Sequence, residues 1–302
     1  MTAKDAVAEF IHDGDYVASG GFGSNRISAI LLHEIVRQRR KNLGVAGHTM
    51  THDFQILCAG ECISRCDAAY IVGLEARGLS PNARRQIQDG RIQLCEWTNA
   101  SLAWRLRAAA MGISFIPCRV MLGTDTFAHS AAVEIECPFT GQKYAALPAL
   151  YPDVAIIHVH RADPMGNCQI DGIEIADVEL AQAAKHVLIS AEEIISEDVI
   201  RNDPGRTRIP ATVVDAVIEA PYGSYPGNMP GRYFADEAHL HRWLEVEKDP
   251  AAFAAFLHEH IHGVRDFYEY LDKCGGLARV MELAREERGL PTSGLDGSEG
   301  RP

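Results

Sequence analysis

Positive charge is what this 302-residue chain lacks: 29 Lys and Arg stand against 41 Asp and Glu, a formal net charge of -12. A nucleic-acid footprint or a polybasic membrane patch needs clustered cations, so neither partner is expected. The nearest thing to a basic run, Arg37 to Lys41, closes a predicted helix, where cations complement the terminal carbonyl dipoles. No apolar stretch approaches the roughly 20 residues that span a bilayer. The opening MTAKDAVAEF is an amphipathic helix start without the apolar core of a signal peptide. A cytoplasmic protein is expected. Eight cysteines in a chain this long are no disulfide framework, and in a reducing compartment they act mostly as small buried hydrophobes. Gly-Lys-Ser/Thr is missing, which excludes a P-loop, and so is Gly-x-Ser-x-Gly, which excludes a nucleophile elbow.

What is present is an ordinary globular composition, 47% hydrophobic and 23% charged. Strand-like runs at 16–19 (YVAS), 43–46 (LGVA), 68–72 (AAYIV), 92–97 (IQLCEW) and 113–117 (ISFIP) alternate with helical patterns such as RISAILLHEIVRQRR and NASLAWRLRAAAMG. Ser80, Pro81 and Gly90 supply the cap, first position and stop of another helix. Strand, helix, strand, repeated, predicts an α/β fold with an open, mainly parallel sheet flanked by helices. From 118 to 152 the periodicity breaks into a turn-rich excursion. Strands resume at 154–160, 187–190 and 213–220, and the chain then ends in helices. Residues 1–285 read as one domain and 286–302 as a polar, disordered tail.

The densest local signal is SGGFGSNRI (19–27), a glycine knot on a strand-to-helix turn. Such turns permit close backbone approach and point amide hydrogens at anions. A dinucleotide fingerprint would need Gly where Arg26 stands and an acidic residue where Ala46 stands, so that reading fails. Ligands of an open parallel sheet bind at the carboxyl ends of its strands, which brings His48, the Gly123-Thr124-Asp125 loop, Glu96 and Asn99 toward the knot. His48 is either a satisfied loop histidine or a working one. Two metal-like patterns compete. His258-Glu259-His260-Ile261-His262 matches H-E-x-x-H, but its histidines flank an apolar stripe of a surface-bordering helix. Cys58, Cys62 and Cys66 are spaced for one helix face, but Gly60 interrupts it, and buried structural thiols are expected. No metal site is expected.

The knot, extended to DGDYVASGGFGSNRISAI, resembles the N-terminal signature of family I CoA-transferase α subunits, most closely the glutaconate CoA-transferase type. AAAMGISFIP (108–117), YPDVAIIHVHRADPMGN (151–167), DVELAQAAKHVLISAEEIIS (177–196) and VVDAVIEAPYGSYP (213–226) agree with it in order, so the resemblance spans roughly residues 5 to 280. It departs where the family's broader signature ends in a Gly-x-Pro-like element and this chain has Arg26-Ile27-Ser28. The resemblance implies an enzyme that moves CoA from an acyl-CoA to a carboxylic acid. Its catalytic glutamate would sit in a Ser-Glu-Asn-Gly or related motif of a β subunit. No such motif occurs here, and Gly297-Ser298-Glu299-Gly300 lies in the tail with no strand before it. A β-subunit partner is therefore expected, in an αβ heteromer that can extend to α2β2 or beyond, with coenzyme A as substrate and no resident cofactor. On this reading Gly20, Gly21 and Phe22 wall the acyl pocket, Ser24, Asn25 and Arg26 lie near substrate, Arg26 pairs with a substrate carboxylate, and His48 and Asn99 are further contacts. Relatives of the same scaffold include a methylglutaconyl-CoA decarboxylase and ring-opening CoA-thioester hydrolases. The latter carry a glutamate where this chain has Asn99. A non-catalytic effector-binding domain is the third class.

Overall fold

The computed structural model describes residues 1–71 and 78–289. Its strands run, in chain order, β1 Tyr16–Ser19, β2 Leu43–Gly47, β3 Ile63–Ala68, β4 Gln93–Glu96, β5 Phe115–Cys118, β6 Val133–Glu136, β7 Lys143–Pro148, β8 Val154–Val159, β9 Arg161–Ala162, β10 Cys168–Gln169, β11 His186–Ala191, β12 Thr207–Ile209 and β13 Ala216–Glu219. The helices are α1 Ala3–Phe10, α2 Ala29–Arg37, α3 His52–Ala59, α4 Pro81–Gln88, α5 Asn99–Ala110, α6 Asp125–Ala128, α7 Asp177–Ala183, α8 Glu197–Asn202, α9 Glu237–Val246, α10 Pro250–Leu257, α11 Phe267–Lys273 and α12 Gly276–Glu287.

Seven strands form one sheet in the order β13-β11-β8-β1-β2-β3-β4, parallel at every pairing. Alternation along each strand builds two apolar layers. Val17, Val45, Val154, Ile156, Leu188 and Ile218 pack on one face with α1 to α3 and the C-terminal helices. Ala18, Ala46, Ala155, Ile157, Val159 and Ile189 pack on the other with α5 and α7. Strand order reverses at β1, with β2 on one side and β8 on the other, so a crevice opens beyond the carboxyl ends of β1 and β8. The knot sits in it.

The local signals place several elements. Ser80 Oγ accepts from the Ala83 amide with Pro81 in the first turn of α4, and Thr98 forms a reciprocal cap with Ser101 at the start of α5. Two expected strands differ. The third lies at Ile63–Ala68, ahead of the expected 68–72, of which Val72 lies outside the described residues. Its polar residues find tertiary partners that no pattern announces: Ser64 Oγ donates to the Asn42 carbonyl, and Asp67 accepts from Trp97 Nε1 at 2.6 Å. The strand at 113–117 leaves the parallel sheet and pairs antiparallel with β7 in a separate sheet, β5-β7-β6, built from the turn-rich excursion. Pro117 lacks an amide hydrogen, and an edge strand tolerates that loss. The helix α12 runs to Glu287, into the segment expected as tail, and residues 290–302, Gly297 to Gly300 among them, lie outside the described residues.

Cys58 ends in α3, Cys62 in the following loop and Cys66 in β3, all buried, with burial pushing the Cys62 thiol up to about 12. His258–His262 forms a π-helical turn after α10, in which His260 is buried and its Nδ1 bonds to the Phe256 carbonyl at 3.0 Å. Among the described residues no group of three or more His, Cys, Asp or Glu is arranged to hold a metal ion.

Candidate active site at the sheet switch point

The knot leaves β1 at Ser19 and closes on itself. Phe22 and Asn25 exchange backbone hydrogen bonds of 3.0 and 2.9 Å, while Gly21 and Gly23 take φ of 84° and 63°. Glycine is required at 21 because a Cβ there would lie 2.3 Å from the Asn25 carbonyl oxygen. At Gly20 a Cβ would meet Asp177 Oδ1 at 2.8 Å. The close approach that the glycines permit is thus by the chain itself.

The same holds for the anion. The Gly21 amide donates to Asp177 Oδ1 at 2.9 Å, the Gly20 amide to the Ile156 carbonyl at 2.9 Å, and the Gly23 amide to the Thr49 carbonyl at 2.8 Å. With the Phe22 amide bonded to Asn25, none of these donors is available to an oxyanion in this conformation. Arg26 corrects the sequence expectation most directly. It is fully buried, its Nη2 lies 2.8 Å from Asp177 Oδ2, and its Nη1 lies 3.1 Å from Asp177 Oδ1. Its Nε and Nη2 also donate to the Ile173 carbonyl and its Nη1 to that of His158. The carboxylate that Arg26 binds is Asp177, which α7 presents from its first turn. Burial alone would push the Asp177 carboxyl up, but Arg26 and the Gly21 amide hold it below the ordinary range.

A second clamp comes from the loop after β13. The Asn228 carbonyl accepts from the Arg26 amide at 2.9 Å, and its own amide donates to the Ser24 carbonyl at 2.8 Å. The Asn228 side chain bonds Asn25 and Ser24, so the side chains of both are tied to this loop. Beneath lies a buried polar chain: His158 Nε2 donates to Glu192 Oε1 at 2.8 Å, its Nδ1 meets Ser190 Oγ at 2.8 Å, and Tyr233 donates to Glu192 at 2.6 Å. Sequence reasoning missed Asp177, Asn228 and this chain. Asp177 carried only the signals of an acidic helix start and of the family-like stretch 177–196 that it opens, neither of which names its partner, and nothing local marks Asn228.

His48 meets the knot, and Asn99 reaches it through Thr49, whose carbonyl accepts from the Gly23 amide. The rings of Phe22 and His48 are 5.4 Å apart, and Thr49 Oγ1 donates to Asn99 Oδ1 at 3.4 Å. Burial pushes the His48 pKa down, against the Asn99 backbone and the charge of Asp177, which favours the neutral ring. Its Nδ1 is buried with no protein partner among the described residues. Phe22, His48 and the exposed Asn99 form a rim, and behind it Gly20, Gly21, Gly47, His48, Leu106 and Asp177 line a cavity of about 10 Å³. That is room for one water molecule.

A parallel sheet with a glycine knot at its switch point and a small, water-sized cavity belongs to a recognisable class. The coenzyme A transferase family profile matches residues 1–220, and the chain belongs to that family. Within it, the chain is 34% identical to one of the subunits of glutaconate CoA-transferase from Acidaminococcus fermentans, over 94% of this chain and 93% of that one. The solved structure of that enzyme superposes with a TM-score of 0.89 at 32% identity, covering 94% of both chains. An uncharacterized protein of Archaeoglobus fulgidus is 48% identical over 95% of this chain, which spans 65% of that protein's length. The solved structure of a variant of the decarboxylase AibA/AibB matches with a TM-score of 0.76 at 30% identity, covering 85% of this chain and 97% of that one. Among the described residues no helix is long and apolar enough to cross a membrane.

Proposed function

We propose that this chain is the α subunit of a two-subunit CoA-transferase, cytoplasmic, whose acyl-transfer site is completed by a β subunit in an αβ, α2β2 or larger assembly. The observation that carries the reading is the end-to-end correspondence with one chain of a known two-subunit transferase, joined to a crevice that by itself admits a single water. An acyl-CoA needs a second wall.

In this reading a glutamate carboxylate of the partner attacks the thioester carbonyl carbon. The C–S bond breaks, CoA leaves as thiolate, and an acyl-glutamyl anhydride remains. The thiolate then attacks the glutamyl carbonyl, expels the first acid and leaves glutamyl-CoA. An incoming carboxylate reverses both steps and departs as the new acyl-CoA. Every step passes through a tetrahedral oxyanion, for which one aimed donor contributes on the order of 3 kcal/mol. The Gly20, Gly21, Phe22 and Gly23 amides are occupied by Asp177 and backbone carbonyls, so the donor this chain offers is the Asn99 side-chain amide, with the His48 ring and Phe22 beside it as walls. Gly20, Gly21, Ser24, Asn25 and Arg26 act by holding that rim in place. Coenzyme A passes through as substrate, with no resident cofactor.

Intact mass spectrometry of the co-purified complex after incubation with acyl-CoAs tests this. A CoA-sized adduct on the partner, discharged by a carboxylic acid, is the expected result. Turnover without any adduct moves the assignment to a CoA-thioester hydrolase or decarboxylase, the second reading, of which the decarboxylase is favoured by the likeness to AibA/AibB.

A further inference from the structure

The family profile ends at residue 220. Beyond it the chain adds a helical layer, α9 to α12, and in that layer lies a cavity of about 260 Å³. Its described lining residues fall between Tyr225 and Arg279, and none of them lines the crevice at the knot. Three cations line it, Arg242, Lys273 and Arg279, in a chain whose net charge is -12. Asp236 is the one lining carboxylate among the described residues, and it is fully engaged: Arg279 grips both of its oxygens, Tyr225 donates to it at 2.8 Å, and it caps α9 through the His239 amide. Among the described residues the Lys273 ammonium makes one bond, to the Glu259 carbonyl. Arg242 lies over the Phe256 ring and has no ion pair among the described residues. At the floor, with Nδ1 of His260 bonded to the Phe256 carbonyl, its Nε2 is left for another partner.

We propose that this cavity binds a small phosphate-bearing anion, with Arg242 and Lys273 at the rim and His260 beneath. The volume suits a phosphate group better than a drug-sized ligand, which needs roughly 300 Å³ or more. A guanidinium fork beside an ammonium point charge is a phosphate-binding pair. The electrostatics agree. Burial lowers the His260 pKa, the Phe256 carbonyl and Glu259 oppose that, and Arg242 and Lys273 lower it further. An anion placed between those cations reverses their effect on the imidazole. The loop that carries Tyr225 on this cavity also carries Asn228 on the knot, and the Asp236 amide donates to the Pro226 carbonyl at 2.9 Å.

The test is calorimetric titration of the 302-residue chain with inorganic phosphate and, separately, adenosine monophosphate, with the His260 ring followed by NMR. Saturable binding, a rise in the His260 pKa, and at least a tenfold loss of affinity in Arg242→Ala/Lys273→Ala are expected, with Arg39→Ala unchanged. Equal affinities for the two probes identify free phosphate as the ligand, and tighter binding of the nucleotide identifies a phosphate ester. Both residues are exposed, so the double variant keeps its fold. The proposal is overturned if neither probe saturates, if the His260 signals stay still, or if the double variant binds as tightly as the parent.

Discussion

Two basic sites in this molecule have opposite fates. Arg26, in the knot, is buried with every donor engaged and Asp177 as its internal anion. Arg242, in the C-terminal helical layer, is exposed and has no carboxylate partner among the described residues. The first charge holds backbone in place, and the second remains able to attract something from outside. A conspicuous arginine beside a glycine turn is therefore no evidence of a substrate clamp until its partners are known. A buried ion pair with both ends satisfied serves geometry, because its net contribution to stability is small while the cost of breaking it is large.

The most severe way to break that contrast is Asp177→Ala, which leaves the Arg26 guanidinium buried without its anion. A loss of about 3–5 kcal/mol is expected in urea unfolding, with Asp177→Asn milder because it keeps an acceptor. Gly21→Ala comes next. Strained backbone at positive φ costs about 1–3 kcal/mol, and the collision with the Asn25 carbonyl adds to it, so the melting temperature falls with no charge changed.

Acid is a broader probe, on the order of a few kcal/mol in all. Burial lowers His160 to about 4 and His239 to about 3. Their folded pKa values lie below the unfolded value of about 6.5. Stability from them is full above pH 6.5 and is lost as pH falls toward 4 and 3, because the unfolded chain takes up protons that the folded chain refuses. Asp177, held low, loses its contribution only below the ordinary carboxylate range. Asp53, raised by burial to about 7, works the other way and offsets part of the loss. The unfolding midpoint in urea, measured from pH 7 to 4, should therefore decline. A flat or rising profile would show that these histidines are not buried as neutral rings. The smallest effect on stability belongs to Arg242→Ala, within about 0.5 kcal/mol, alongside the largest effect on phosphate binding.

Much of the architecture was legible from local pattern. Ser80-Pro81 marks a helix start that forms where expected, the helical pattern from Asn99 forms α5, and the runs at 16–19, 43–46 and 154–160 are the central strands of the sheet. The third strand was misplaced because its polar residues look unsuited to a sheet until Trp97 and Asn42 come to meet them. At the site, the carboxyl-end rule placed His48 beside the knot, where its ring lies against Phe22, while the Asn99 side chain reaches Thr49, and Glu96 and the Gly123-Thr124-Asp125 loop were expected there by the same rule. Arg26 was misread because its partner stands 151 positions away in sequence.

What the amino-acid order determined by itself was whatever repeats over a few residues: the alternation that buries both faces of a parallel sheet, the caps, the glycines that permit positive φ, and the family those motifs identify. Tertiary structure alone decided which donors were already taken. Asp177 and Asn228 reach the knot only once β8, α7 and the loop after β13 have assembled around it, and the same packing closes the crevice to about 10 Å³. Hydrogen bonding is set by distances of about 3 Å, and between residues far apart in the chain only the folded core fixes distances that finely.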